Sequence, residues 1–141
     1  MEQRISLLTL GVDDLPRARR FYEEGLGWTP VQALEEVVFY QLPGLSLALW
    51  GRQELAQDAR RPVDGTFSGI SIAINERSPE DVDRTIAQAK DAGARILKPA
   101  EATAWGGHCG YFADPDGHVW EVAHNPACTI HPDGRTTFGP A

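Results

Sequence analysis

Cysteine, basic charge and long apolar runs are all scarce in this chain, and each scarcity removes a class of protein. The 141 residues include two cysteines, Cys109 and Cys128. Their spacing fits neither a disulfide framework nor a paired metal motif. Buried or idle thiols are the expectation. Acidic residues outnumber basic ones by 20 to 13, a formal charge of −7. Nucleic acid is therefore excluded as a partner, because binding it needs a basic footprint. Every apolar run is far short of the ~20 residues that span a bilayer. The opening Met1-Glu2-Gln3-Arg4-Ile5 has no apolar signal region, so a cytoplasmic protein with no membrane partner is expected.

What is present is an ordinary globular composition, 42% hydrophobic, enough for the core of one domain. The most informative stretch runs from Phe112 to Pro126 and reads as strand, tight turn, strand. Asp114-Pro115-Asp116-Gly117 supplies the turn, with Pro presetting φ and Gly accepting a positive value. Along the following strand, Val119, Glu121 and Ala123 share one face, and Trp120 and Val122 the other. A carboxylate planted among apolar neighbours needs a partner, a metal or a task.

The chain also carries an internal repeat. Its first half opens with an apolar strand, Ile5 to Leu10. A helix follows, capped by Asp13 or Asp14, with an apolar stripe of Leu15, Ala18, Phe21, Tyr22 and Leu26. Gly25 or Gly27 ends it. Strand signals then span Trp28 to Ala33, Glu36 to Leu42 and Leu45 to Trp50, with Pro43-Gly44 as a turn. The second half repeats that order. Phe67 to Asn75 reads as a strand, and Ser78-Pro79-Glu80-Asp81 starts a helix. Val82, Ile86 and Ala89 form its stripe, and Gly93 closes it. Three more strands follow: Arg95 to Pro99, His108 to Ala113 and His118 to Ala123. Each half is βαβββ. Module one covers residues 4–50 and module two 66–126, within a single domain 1–126. The polar linker 51–65 holds a short helix near Glu54 to Ala59. The tail, 127–141, reads as irregular and able to cross onto a neighbouring subunit.

Three motifs carry a family resemblance. They are Leu10 to Leu15 with Phe21-Tyr22 and Leu26-Gly27-Trp28; Ala92-Gly93-Ala94; and Phe112 through Pro126. On these the chain resembles the vicinal oxygen chelate superfamily of glyoxalase I, extradiol dioxygenases, fosfomycin-resistance transferases and bleomycin-binding proteins. The resemblance implies an α+β fold whose two modules form a curved eight-stranded mixed sheet around a U-shaped cleft. It also implies a homodimer. Metal-dependent members place two ligands per module on the cleft floor, on the first and last strands. Carried over by position, those sites fall at Leu7, Ala48, Gly69 and Glu121. A stable divalent site takes at least three donor side chains, and only Glu121 is one. No metal and no other cofactor is expected.

Strand parity and loop composition name the residues that would line such a cleft. Thr9, Ser71 and Glu121 face inward. Trp105 and His108 follow from the loop Ala104-Trp105-Gly106-Gly107-His108, whose glycines bring backbone close to whatever lies there. Trp105 is either an aromatic wall for a planar ligand or a plug against the core. Phe39 and Gln41 share a face in module one, with Gln41 either a polar anchor or a satisfied amide. An apolar, aromatic cleft with few polar groups suits a small molecule. Glu121 would have its pKa raised by desolvation. It is then a general acid/base, an anchor for a cationic ligand, or a relic held by Thr9, Ser71, His108 or backbone amides. The expected function is small-molecule binding, as in bleomycin resistance. The alternative is a glyoxalase-like lyase, isomerase or dioxygenase working through Glu121.

Overall fold

A computed structural model describes residues 1–25, 27–65, 68–113 and 117–139, with the backbone alone at Phe21. Leu26, Phe67 and the Asp114-Pro115-Asp116 part of the turn lie outside the described residues. The first βαβββ unit comprises β1 (Leu7–Val12), α1 (Leu15–Arg19), β2 (Gln32–Ala33), β3 (Val37–Leu42) and β4 (Leu45–Gly51). The linker helix α2 (Arg52–Asp58) separates it from β5 (Ile70–Asn75), α3 (Pro79–Asp91), β6 (Arg95–Ala102), β7 (His108–Ala113) and β8 (Val119–His124). All eight strands form one sheet in the order β2-β3-β4-β1-β5-β8-β7-β6. The duplication is visible in the pairing. Within each unit the first and last strands are parallel neighbours, β1 with β4 and β5 with β8. The units meet through antiparallel β1 and β5.

Local chemistry starts both module helices. The Asp14 side chain accepts from the Arg17 amide, and the Ser78 side chain from the Asp81 amide, so each caps free donors of the first turn. In module one, α1 is only a turn and a half long and passes into a π-helical segment, Arg20–Gly25. In module two, α3 runs unbroken for 13 residues. Leu8, Leu10 and Val12 pack with Val38, Tyr40, Leu47 and Leu49 on the helix side of module one. Ile74, Val122, Phe112 and Trp120 pack with Val82 and Ile86 of α3 on that side of module two. The opposite, concave face is left for the cleft.

Two segments fill part of that concave face. The linker helix α2 buries Leu55 and Ala56, with the following Ala59, against Cys109, Tyr111, Val119 and Ala123 of module two. The tail fills the module-one side, which corrects the expectation of an irregular segment. Cys128–Ile130 (β9) and Thr136–Phe138 (β10) form an antiparallel hairpin. Phe138 packs against Leu7, Ala48 and Ala73 and stacks on Phe39, with ring centroids 6.0 Å apart. The signal was weak because a three-residue strand shows little periodicity, and the tail 127–141 holds four glycine or proline residues. What holds the hairpin is Gln41. Its Oε1 accepts from the Phe138 amide at 2.9 Å and from Ser46 Oγ at 3.1 Å, and its Nε2 donates to Thr136 O at 3.4 Å.

Candidate functional site

Between α2 and the tail hairpin lies a cavity of about 300 Å³. Its floor is the centre of the sheet: Leu7 and Thr9 of β1, Ala48 and Trp50 of β4, Asn75 of β5, and Glu121 and Ala123 of β8. Phe39 and Phe138 wall it on the module-one side, while Asp58, at the end of α2, reaches it from module two. Trp105 stands at the rim, 53% exposed. Its indole lies over Gly107, where a Cβ would fall 1.7 Å from Cζ3. The loop is closed by Thr103, whose Oγ1 accepts from the Gly107 amide at 3.0 Å.

Glu121 belongs to a cluster that spans four elements. Lys98 of β6 donates from Nζ to Asp58 Oδ1 at 2.7 Å. The same ammonium lies 3.7 Å from Cys109 Sγ and 5.7 Å from the centre of the Tyr111 ring. Tyr111 is paired directly with Glu121 across β7 and β8. Its hydroxyl sits beside the carboxyls of Glu121 and Asp58 but completes a hydrogen bond with neither. Burial, and then the negative charge of Asp58, push the Glu121 carboxyl up to about 7, against the opposing pull of Lys98 and Tyr111. Burial works against the Lys98 charge, but the hydrogen bond it donates to Asp58 and the surrounding negative groups hold its pKa above the ordinary lysine value. The Cys109 thiol is pushed up to about 12 by burial and by Glu121, so it stays protonated and unreactive at neutral pH.

The structure brings four of the seven sequence-predicted residues, Thr9, Phe39, Trp105 and Glu121, to this cavity. Ser71 is buried on the same concave side, and its Oγ has no partner among the described residues. Gln41 is committed to the tail hairpin. His108 faces the other way: its Nε2 lies 2.9 Å from Asp83 Oδ1 of α3. Parity explains this, because Cys109 and Tyr111 occupy the concave face of β7 and their neighbour His108 must take the convex one. His124 and His131 bond to Glu76 O and Thr137 Oγ1.

The carried-over position Gly69 lies outside β5. Gly69 precedes the strand, with φ 77°, and packs against Gly11 and the Arg52 guanidinium. The residue in register with both Leu7 and Glu121 is Ala73. Leu7, Ala48, Gly69 and Ala73 carry no side-chain donor atom, so these positions do not complete a three- or four-ligand centre with Glu121. Among the described residues, no group of three or more His, Cys, Asp or Glu side chains is placed to hold a metal ion.

Sequence reasoning missed Asp58, Asn75, Lys98 and Tyr111. Asn75 and Tyr111 were reachable, since they share strand faces with Ser71 and Cys109. Asp58 and Lys98 were not, because only the docking of α2 brings them together.

The sequence matches the family Glyoxalase/Bleomycin resistance protein/Dioxygenase superfamily over residues 4–122. A glyoxalase-related enzyme from Fulvimarina pelagi is 41% identical, over 99% of this chain and 100% of that one, with a TM-score of 0.51. The metallothiol transferase FosB of Shouchella clausii (strain KSM-K16) is 27% identical over 86% of this chain and 80% of its own. The Mn(II)-bound glyoxalase of Novosphingobium aromaticivorans has a TM-score of 0.57 at 22% identity, covering 97% of this chain and 41% of that one, a likeness of fold alone. The chain belongs to the glyoxalase/bleomycin resistance/dioxygenase superfamily.

Proposed function

We propose that this superfamily member binds a small aromatic or cationic compound in the cavity, without a metal ion at the family's usual positions. One observation carries the reading: the cavity has two unlike sides. Leu7, Phe39, Ala48 and Phe138 offer an apolar and aromatic surface, and Asp58, Asn75 and Glu121 add polar groups beside it. A mostly apolar pocket with a few convergent polar groups is the usual form of a small-molecule site, and about 300 Å³ lies at the lower end of the common range. The formal charge of −7 adds a field that favours cations. Intrinsic fluorescence tests the reading, because Trp50 and Trp105 both line the cavity. A panel of planar and cationic compounds should include some that change the emission and raise the melting temperature. A panel without either effect contradicts the reading.

A second reading is favoured by the ionisation of Glu121. A carboxyl with a pKa of about 7 holds and releases a proton at neutral pH, which suits general acid/base chemistry. In that reading the protein is a glyoxalase-like lyase or isomerase, or a dioxygenase. Turnover of a candidate substrate that survives Glu121→Gln unchanged would remove it. The homodimer implied by the resemblance remains part of the proposal. A single-chain mass by light scattering at ~100 μM, well above common dimer dissociation constants, would remove that too.

A further inference from the structure

We infer that the polar end of the cavity is a subsite for the protonated amino group of a primary aralkylamine, held by Glu121, Asp58 and the Asn75 amide oxygen, with the ring against Phe39, Phe138 and Trp105. The inference rests on the binding reading above and deepens it.

Three observations point the same way. The first is an unmet acceptor. Asn75 is 2% exposed and lines the cavity, and its Oδ1 has no hydrogen-bond partner among the described residues. A buried acceptor left unpaired is destabilising, and a ligand N–H would relieve that cost. The second is charge. Lys98 offsets Asp58 at 2.7 Å. Among the described residues, no cationic side chain comes within ion-pair distance of Glu121, and Lys98 acts on it only from farther away. Once Glu121 ionises, two carboxylates share one ammonium, and the cavity end carries one uncompensated negative charge. The third is the kind of group that fits. All three residues line the cavity as acceptors, so the guest must bring N–H donors as well as charge. A primary ammonium brings three, and a quaternary one brings none. The apolar side accommodates a ring, with Phe39 and Phe138 already stacked beside it.

The charged and titratable groups facing Glu121 are Asp58 of α2, Lys98 of β6, and Cys109 and Tyr111 of β7. Cys109 and Tyr111 stay neutral, and Lys98 stays charged, throughout the neutral range. Amine affinity should therefore follow the ionisation of Glu121 and rise with pH between about 6 and 8.

Calorimetric titration with three probes tests this: 2-phenylethylamine, its N,N,N-trimethyl derivative and the neutral 2-phenylethanol. At about pH 8 the primary amine should bind roughly tenfold more tightly than either other probe. At about pH 5.5 its advantage should shrink to roughly threefold or less. In Glu121→Gln the advantage and its pH dependence should both disappear while 2-phenylethanol binding persists. Wild-type protein alone decides much of the question, so a poorly folding variant does not shield the idea. Equal binding of the three probes at pH 8, or an amine preference indifferent to pH, overturns the ammonium subsite and leaves the binding reading standing. No binding of any of the three probes also overturns the subsite, and the wider fluorescence panel then decides the binding reading by itself.

Discussion

The two modules repeat one architecture and use their concave faces differently. Module one presents Leu7, Phe39 and Ala48, covered by Phe138 of the tail hairpin. Module two, on the equivalent face, presents Tyr111 and Glu121, and α2 delivers Asp58 to them. Thr9 and Ala48, paired across β1 and β4, correspond by register to Ala73 and Glu121, paired across β5 and β8. So one module supplies an apolar wall and the other a responsive charge, from the same backbone. Duplication fixes where side chains point, and substitution within each copy then decides what they do.

That contrast can be broken from either side. The largest expected effect is Phe138→Ala. It removes a ring that is 8% exposed and leaves a void over Leu7, Ala48 and Ala73, which should cost about 3 kcal/mol in urea unfolding. An unchanged midpoint would mean that the hairpin does not hold module one's face.

Glu121→Gln should act in the other direction. Its pKa is raised from 4.5 to about 7, so the folded state binds a proton more tightly than the unfolded chain. Stability from this residue is therefore lost as pH rises through that window. At pH 8 the wild type carries the full penalty, at most about 3 kcal/mol, and the variant should be more stable by up to that amount. Near pH 4 the difference should vanish. A variant destabilised at pH 8 would contradict the picture of a strained carboxylate.

Lys98→Met should cost about 2 kcal/mol, since it leaves Asp58 beside Glu121 without its cation. The Glu121 titration should also move upward, because Lys98 now lowers it. The smallest paired effect is at the helix starts. Asp14→Ala and Ser78→Ala each remove one cap and should cost about 1 kcal/mol. Ser78→Ala should do so the more reproducibly, because α3 spans 13 residues and α1 only 5.

The contrast also separates what was legible in the sequence from what was not. Period-two alternation made the sheet readable, and Val119, Glu121 and Ala123 do share the concave face. Capping chemistry placed both helices through Asp14 and Ser78. Gly69 lies just before β5, and the β5 residue in register with both Leu7 and Glu121 is Ala73. The partners of Glu121 were hidden for a different reason. Asp58 and Lys98 are 40 residues apart and meet only when α2 docks, an event of tertiary packing with no local signature. Gln41 read correctly as a polar group on the inward face, yet its partner was a tail that composition alone left without structure.

The central claim is that module two holds a carboxyl poised near neutrality at the floor of the cavity. Carboxyl ¹³C NMR of the glutamates, recorded against pH in wild type and Glu121→Gln, tests it most directly. The account predicts one resonance with a midpoint near 7 that is missing from the variant. A Glu121 midpoint near the ordinary 4.5 would contradict it.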